Sequence, residues 1–224
     1  MRAFESVRQN KQNGRARVGN QTDVRGAHLL TDQHRPGSLY TAAGQRKYLT
    51  AAERVRFLDA AVVCPRGEVG TLCLTLAYTG CRISEALALT TDRIEREGGF
   101  IAVRSLKKRK RAIVVREIPV PPTLFRALED VHDLEGREAR LWSLSRSRAW
   151  QLIKEVMREA NIPEGPHMTP RGLRHSFGIH AIRSGVPLNL VQRWLGHASM
   201  STTAIYLQAV GDEEREIAAR MWAE

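Results

Sequence analysis

Apolar positions along this chain fall at helical spacing over most of its length and at strand spacing in one stretch. Thr50 followed three residues later by Glu53 reads as a capping box, opening a helix that runs to about Val63. A second helix is expected over about Gly67 to Thr79. Its segment Leu72-Cys73-Leu74-Thr75-Leu76-Ala77 is apolar nearly all round, so it belongs in the interior. Gly80 suits its C-cap. A further helix carries Ser84 to Leu89. The period then shortens. Phe100-Ile101-Ala102-Val103 and Ala112-Ile113-Val114-Val115 read as the strands of a hairpin whose tip is the run Lys107-Lys108-Arg109-Lys110-Arg111, closed by Pro119, Pro121 and Pro122. Helical spacing returns over about 122–132, 146–160, 170–184, 187–195, 200–208 and 212–223. Gly185 and Gly196 stand where C-caps belong, and Pro170 fits a first turn behind Thr169. The expected fold class is mainly α with a small antiparallel β-sheet (α+β).

Residues 1–46 keep no apolar period, are net basic and are punctuated by five glycines from Gly14 to Gly44. They read as a flexible basic arm, either a leader with no role or one that brings Arg15, Arg17 and Arg25 to phosphates. Order is expected from residue 47, in one domain covering 47–224. With 224 residues, 42% of them hydrophobic, the chain can bury one good core. Cys64, Cys73 and Cys81 are an odd set without close pairing, which points to a reducing compartment. The first residues lack the apolar run of a signal peptide, and no apolar run approaches the ~18 residues of a membrane span. The expected location is cytoplasmic and nucleoid-associated, in a prokaryote or on a phage or plasmid.

Charge changes the picture further. Lys and Arg number 35 against 24 Asp and Glu, a formal net charge of +11. An anionic partner follows, with nucleic acid first and a ribosomal or merely solubilising charge as the bland alternative. Within that charge, four segments over about 125 positions carry candidate chemistry. Arg82 lies in Thr79-Gly80-Cys81-Arg82-Ile83-Ser84-Glu85, Arg174 in Thr169-Pro170-Arg171-Gly172-Leu173-Arg174-His175, and His197 in Trp194-Leu195-Gly196-His197. Tyr206 ends Thr202-Thr203-Ala204-Ile205-Tyr206. Arginines are permanent charges whose planar forks match phosphate oxygens. A tyrosine facing them suits attack on a phosphodiester, where fixed cations stabilise the extra charge of the phosphorane. Glu85, one turn from Arg82, either holds it in position or is a surface i,i+3 pair.

These segments resemble the catalytic domain of the tyrosine recombinases, the phage-type integrases, over about residues 47–224. Thr-Gly-x-Arg-x-x-Glu matches the segment of the family's first catalytic arginine, at Arg82. Leu-Arg-His matches that of the second, at Arg174, with His175 in a usually structural position. Leu-Gly-His followed after eight residues by a tyrosine matches His197 and the nucleophile Tyr206. The family has a histidine where this chain has Arg171. Arginine cannot act as a base near neutral pH, but it could bind a phosphate oxygen or lower the tyrosine pKa.

The resemblance implies a site-specific DNA recombinase working through a 3′-phosphotyrosyl intermediate, in integration, excision, inversion or resolution, without metal, ATP or other cofactor. A hairpin-tip lysine would protonate the leaving 5′ oxygen. Lys107, closing the first strand, is the choice among Lys107, Lys108 and Lys110, while Lys108, Arg109, Lys110 and Arg111 would clamp the DNA backbone. The amphipathic stretch at 212–223 implies docking on a neighbouring subunit in a homo-oligomer, a tetramer on double-stranded DNA. The family's separate N-terminal core-binding domain is expected to be absent, which implies an accessory DNA-binding protein as a partner. His167, His175, His180 and His197 show no zinc spacing, and no phosphate-binding loop is present. The rivals are a truncated or decayed recombinase that binds without cutting, and a helix-turn-helix-like regulator built on Pro187 to His197. A type IB topoisomerase would share the chemistry.

Overall fold

The computed structural model describes residues 38–106, 114–134 and 139–209. Helix α1, Ala51–Val62, starts as the capping box requires. The Thr50 hydroxyl accepts from the Glu53 N–H, and the Glu53 carboxylate accepts from the Thr50 N–H. Helix α2, Gly67–Thr79, is buried from Val69 to Ala77 and forms the spine of the core, with Leu72 and Leu76 fully buried. Cys73 and Cys81 are buried core residues, and burial pushes both thiols up, Cys81 to about 11. Gly80 ends the helix in the left-handed region, at φ +59°. The short α3, Ile83–Ala86, follows at once.

A three-stranded antiparallel sheet comes next, in the order β1 (Ile94–Glu95), β2 (Phe100–Arg104), β3 (Val115–Pro119). The second strand of the hairpin includes Val115 of the expected Ala112–Val115 and runs beyond it to Pro119. Its inward residues are Arg116 and Ile118, set opposite Val103 and Ile101. An inward arginine hid the alternation. Pro119 closes β3 from within the strand, which an edge position tolerates because no ladder partner needs its missing N–H. Ala112, Ile113 and the tip Lys107 to Arg111 lie outside the described residues.

The remaining helices are α4 (Pro122–Glu129), α5 (Arg146–Glu159), α6 (Pro170–Arg183), α7 (Leu188–Leu195) and α8 (Met200–Ala204), which tightens into a 3-10 turn at Ile205–Ala209. Helices α1, α4, α5 and α6 pack around α2, and the 3-10 turn lies on α6. The stretch 212–223 is outside the described residues.

Order begins before the expected boundary at residue 46. Leu39 is fully buried, and Tyr40 bridges to Arg46. The Arg46 guanidinium grips both Glu53 oxygens, at 2.7 and 2.5 Å, and donates to the Tyr48 carbonyl. One apolar residue and one ion pair thus tie a polar segment onto α1. Among the described residues no helix is long and apolar enough to cross a membrane.

Candidate active site

Arg82 is the N-cap of α3. Its N–H and its guanidinium both reach Glu85, at 3.0 and 2.9 Å, while its side chain keeps 39% of its surface exposed. The pairing with Glu85 is therefore no ordinary surface contact, because the carboxylate is 1% exposed. Glu85 also takes Arg116, at 2.8 Å. Burial raises the Glu85 pKa, but the hydrogen bonds and charges of Arg116 and Arg82 outweigh it and hold the carboxyl below its usual range.

Arg174 projects from the second turn of α6. Thr169 caps that helix by accepting from the Gly172 N–H at 3.0 Å. Gly172 allows the first turn to pass under the His167 carbonyl, which a Cβ there would meet at 1.8 Å. Arg174 is 8% exposed and donates to the carbonyls of Gly80, at 2.8 Å, and Leu195, at 2.6 Å. It thereby ties the end of α2 to the end of α7. Burial, then the neighbouring Arg82, push its pKa down to about 10, which leaves it a cation at neutral pH.

His197 follows the left-handed Gly196, φ +64°, at the end of α7. Its Nδ1 meets the Thr203 hydroxyl at 2.9 Å. Burial and the charges of Arg174 and Arg82 push its pKa down to about 3, so the ring is neutral. The Tyr206 ring stacks on it, with centroids 6.3 Å apart and planes 20° from parallel. The Tyr206 ring also packs against Gly178 of α6. The Tyr206 hydroxyl lies 3.3 Å from Nδ1 of His175. The phenol has no solvent-exposed surface, and burial raises its pKa to about 12 against the lowering charges of Arg174 and Arg82. His175 is likewise neutral, pushed down to about 4 by burial, Arg171 and Arg174.

Arg82, Arg171, Arg174, His175, His197 and Tyr206 all line one cleft of about 800 Å³. The structure brings these six together in space. Sequence reasoning missed Lys47, Arg146 and Trp150, which line the same cleft. It also missed Arg116 behind Glu85, Thr203 on His197 and Gly178 under Tyr206. Lys107, Lys108, Arg109, Lys110 and Arg111 fall outside the described residues. Among the described residues five cations line the cleft, Lys47, Arg82, Arg146, Arg171 and Arg174, and no carboxylate does. The cleft therefore suits an anionic ligand. Among the described residues no group of three or more His, Cys, Asp or Glu stands ready for a metal ion.

Comparison with known proteins agrees with that geometry. Residues 47–212 match the model of the Phage integrase family. The tyrosine recombinase XerA of Pyrococcus furiosus is 34% identical over 186 residues, covering 78% of this chain and 61% of that protein. A crystal structure of XerA recombinase superposes with a TM-score of 0.65 at 27% identity, covering 79% of this chain and 65% of that one. The Tn1549 transposon integrase in complex with a circular intermediate DNA shares the fold, with a TM-score of 0.59 at 20% identity over 78% of this chain and 67% of that one. The chain thus spans about three fifths of the length of its XerA relative. With the family's pattern matched over most of its length, and with its mainly helical fold and small antiparallel sheet, the chain belongs to the phage integrase family, among whose members are the tyrosine recombinases.

Proposed function

We propose that this chain is the catalytic part of a site-specific DNA recombinase. The observation that carries this reading is the convergence of Arg82, Arg174, His197 and Tyr206, far apart in sequence, on one cation-lined cleft. The Tyr206 phenol oxygen forms a bond to the scissile phosphorus, and the bond from phosphorus to the 5′ oxygen breaks. A 3′-phosphotyrosyl link and a free 5′ hydroxyl result, and a partner strand's 5′ hydroxyl reverses the step. Arg82 and Arg174 neutralise the non-bridging oxygens. His197 is neutral and its Nδ1 lies 2.9 Å from the Thr203 hydroxyl; with that nitrogen accepting, Nε2 carries the proton and donates a hydrogen bond to the phosphate. Lys107 supplies the proton of the 5′ hydroxyl.

The phenol proton needs an acceptor, and Arg171 cannot be one. His175, neutral and 3.3 Å from the hydroxyl, takes that task, and an anionic phosphate in the cleft raises its basicity. Arg171, exposed on the cleft, binds phosphate. Subunits assemble around double-stranded DNA through residues 212–223.

The sheltered tyrosine and Arg171 also suit a protein that binds DNA without cutting it. Nicked suicide duplexes tiled from the DNA flanking the gene separate the two readings, with SDS-resistant adducts as the readout. An adduct formed by wild type and lost in Tyr206→Phe supports the recombinase. Salt-sensitive binding with no adduct from either protein overturns it.

A further inference from the structure

Arg116 sits behind the cleft, on the inward face of β3 between the buried Ile118 and Val103. Its side chain is 3% exposed. Burying a guanidinium costs several kcal/mol before any partner is counted, and an apolar residue would close this strand face more cheaply. What Arg116 holds explains its presence. One arm donates to Glu85 Oε2 at 2.8 Å, and a second reaches Glu85 Oε1 at 3.4 Å. Its Nε donates to the Trp194 carbonyl at 3.0 Å. The Gly196 backbone packs so closely on the guanidinium that a Cβ would lie 2.7 Å from its terminal nitrogen.

Each partner holds or adjoins a residue that supports the cleft. Glu85 is the carboxylate that holds Arg82. Trp194 precedes Leu195, whose carbonyl receives Arg174, and Gly196 precedes His197. One buried fork therefore joins the Arg82 turn to the turn that carries His197. It also divides the Glu85 charge. With Arg116 present, Glu85 needs only one arm of Arg82, and the rest of that half-exposed guanidinium stays turned to the cleft. Without it, a buried carboxylate would be left with Arg82 alone and would draw the whole fork inward.

We propose that Arg116 is a positioning residue for strand cleavage: by neutralising Glu85 and holding the Trp194–Gly196 backbone, it leaves Arg82 free to face the scissile phosphate. This rests on the reading of the cleft as a recombinase site.

The test compares two suicide duplexes, one with an ordinary scissile phosphodiester and one with a methylphosphonate at that bond. The methylphosphonate is neutral, so the help an arginine gives to a charged phosphate is no longer needed. Wild type, Arg82→Ala, Arg116→Met and Arg116→Lys are compared at saturating DNA, with affinity measured separately. On the phosphodiester, Arg116→Met should lower the rate of adduct formation by roughly 10²-fold, as an ångström-scale misplacement does, with affinity changed less than about threefold. Arg116→Lys keeps the charge without the fork and should fall between that variant and wild type. On the methylphosphonate, the penalties of Arg82→Ala and of both Arg116 variants should shrink together.

A merely structural role would lower both substrates alike. Equal penalties on the two linkages, or an unchanged rate on the phosphodiester, overturn the proposal. If Arg116→Met does not fold, the comparison is read from Arg116→Lys. If wild type itself gives no Tyr206-dependent adduct, the recombinase reading falls, and this inference falls with it.

Discussion

Gly178 gives the sharpest test of where Tyr206 rests. A Cβ at this position of α6 would stand 2.5 Å from Cε2 of the tyrosine, 2.6 Å from Cζ and 2.8 Å from Cδ2. Carbon atoms in contact prefer ~3.5–4.0 Å, so Gly178→Ala asks the ring to retreat by roughly 1 Å. It has nowhere easy to go. The ring is fully buried, and it also stacks on His197, which Thr203 holds at 2.9 Å. Overpacking of this kind costs about 1–3 kcal/mol. Alanine in a helix interior returns about 1 kcal/mol relative to glycine. The net expectation is a loss of roughly 0–2 kcal/mol. In a Tyr206→Ala background the clash is gone and only the helical gain remains, so the same substitution should stabilise by about 1 kcal/mol. The coupling between the two sites, about 1–3 kcal/mol, is the quantity to measure. Urea unfolding of the four proteins gives it directly. In a chain of this size each kcal/mol also moves Tm by about 2–4 °C. If Gly178→Ala stabilises both backgrounds equally, within about 0.5 kcal/mol, the ring does not rest on Gly178.

Three further outcomes are expected. Arg82→Ala should leave stability within about 1 kcal/mol, because the side chain is 39% exposed, yet lower adduct formation by roughly 10²–10³-fold; a large loss in urea stability with adduct formation intact would reverse that assignment. Arg174→Ala should cost more than about 2 kcal/mol in urea unfolding, since it orphans the buried carbonyls of Gly80 and Leu195, and a neutral result would mean that neither bond matters. Stability should fall on mild acidification. Burial and neighbouring arginines push His175 down to about 4 and His197 down to about 3, so below the unfolded value of ~6.5 the unfolded chain binds protons that the folded chain refuses. The loss therefore begins near pH ~6.5 and grows toward ~4, and His175→Gln should flatten it. An unchanged slope in that variant would count against a neutral, buried His175.

What the sequence discloses and what it withholds divide along a physical line. The capping box at Thr50 and Glu53 and the left-handed caps at Gly80 and Gly196 are set by contacts within a few residues, so local chemistry announces them. Arg82, Arg174, His197 and Tyr206 are legible because each sits in a short pattern of its own. Arg116 has no such pattern. Its partner Glu85 is 31 residues away, and an arginine at an inward strand position looks like an outward one until the strand register is known. Leu39 is hidden for a related reason, because no apolar period surrounds it in the sequence, although it is fully buried.

Yet one non-local feature was written in the chain. Gly172 and Gly178 lie within the same helix as Arg174, where each costs about 1 kcal/mol relative to alanine. A glycine kept against that cost marks a place where something else must come close. The first admits the His167 carbonyl and the second the Tyr206 ring. The helix that carries a cleft arginine is thus cut back at Gly178, where it receives the tyrosine. That glycine, kept against its helical propensity, is the sign by which the docking could have been anticipated before any coordinates.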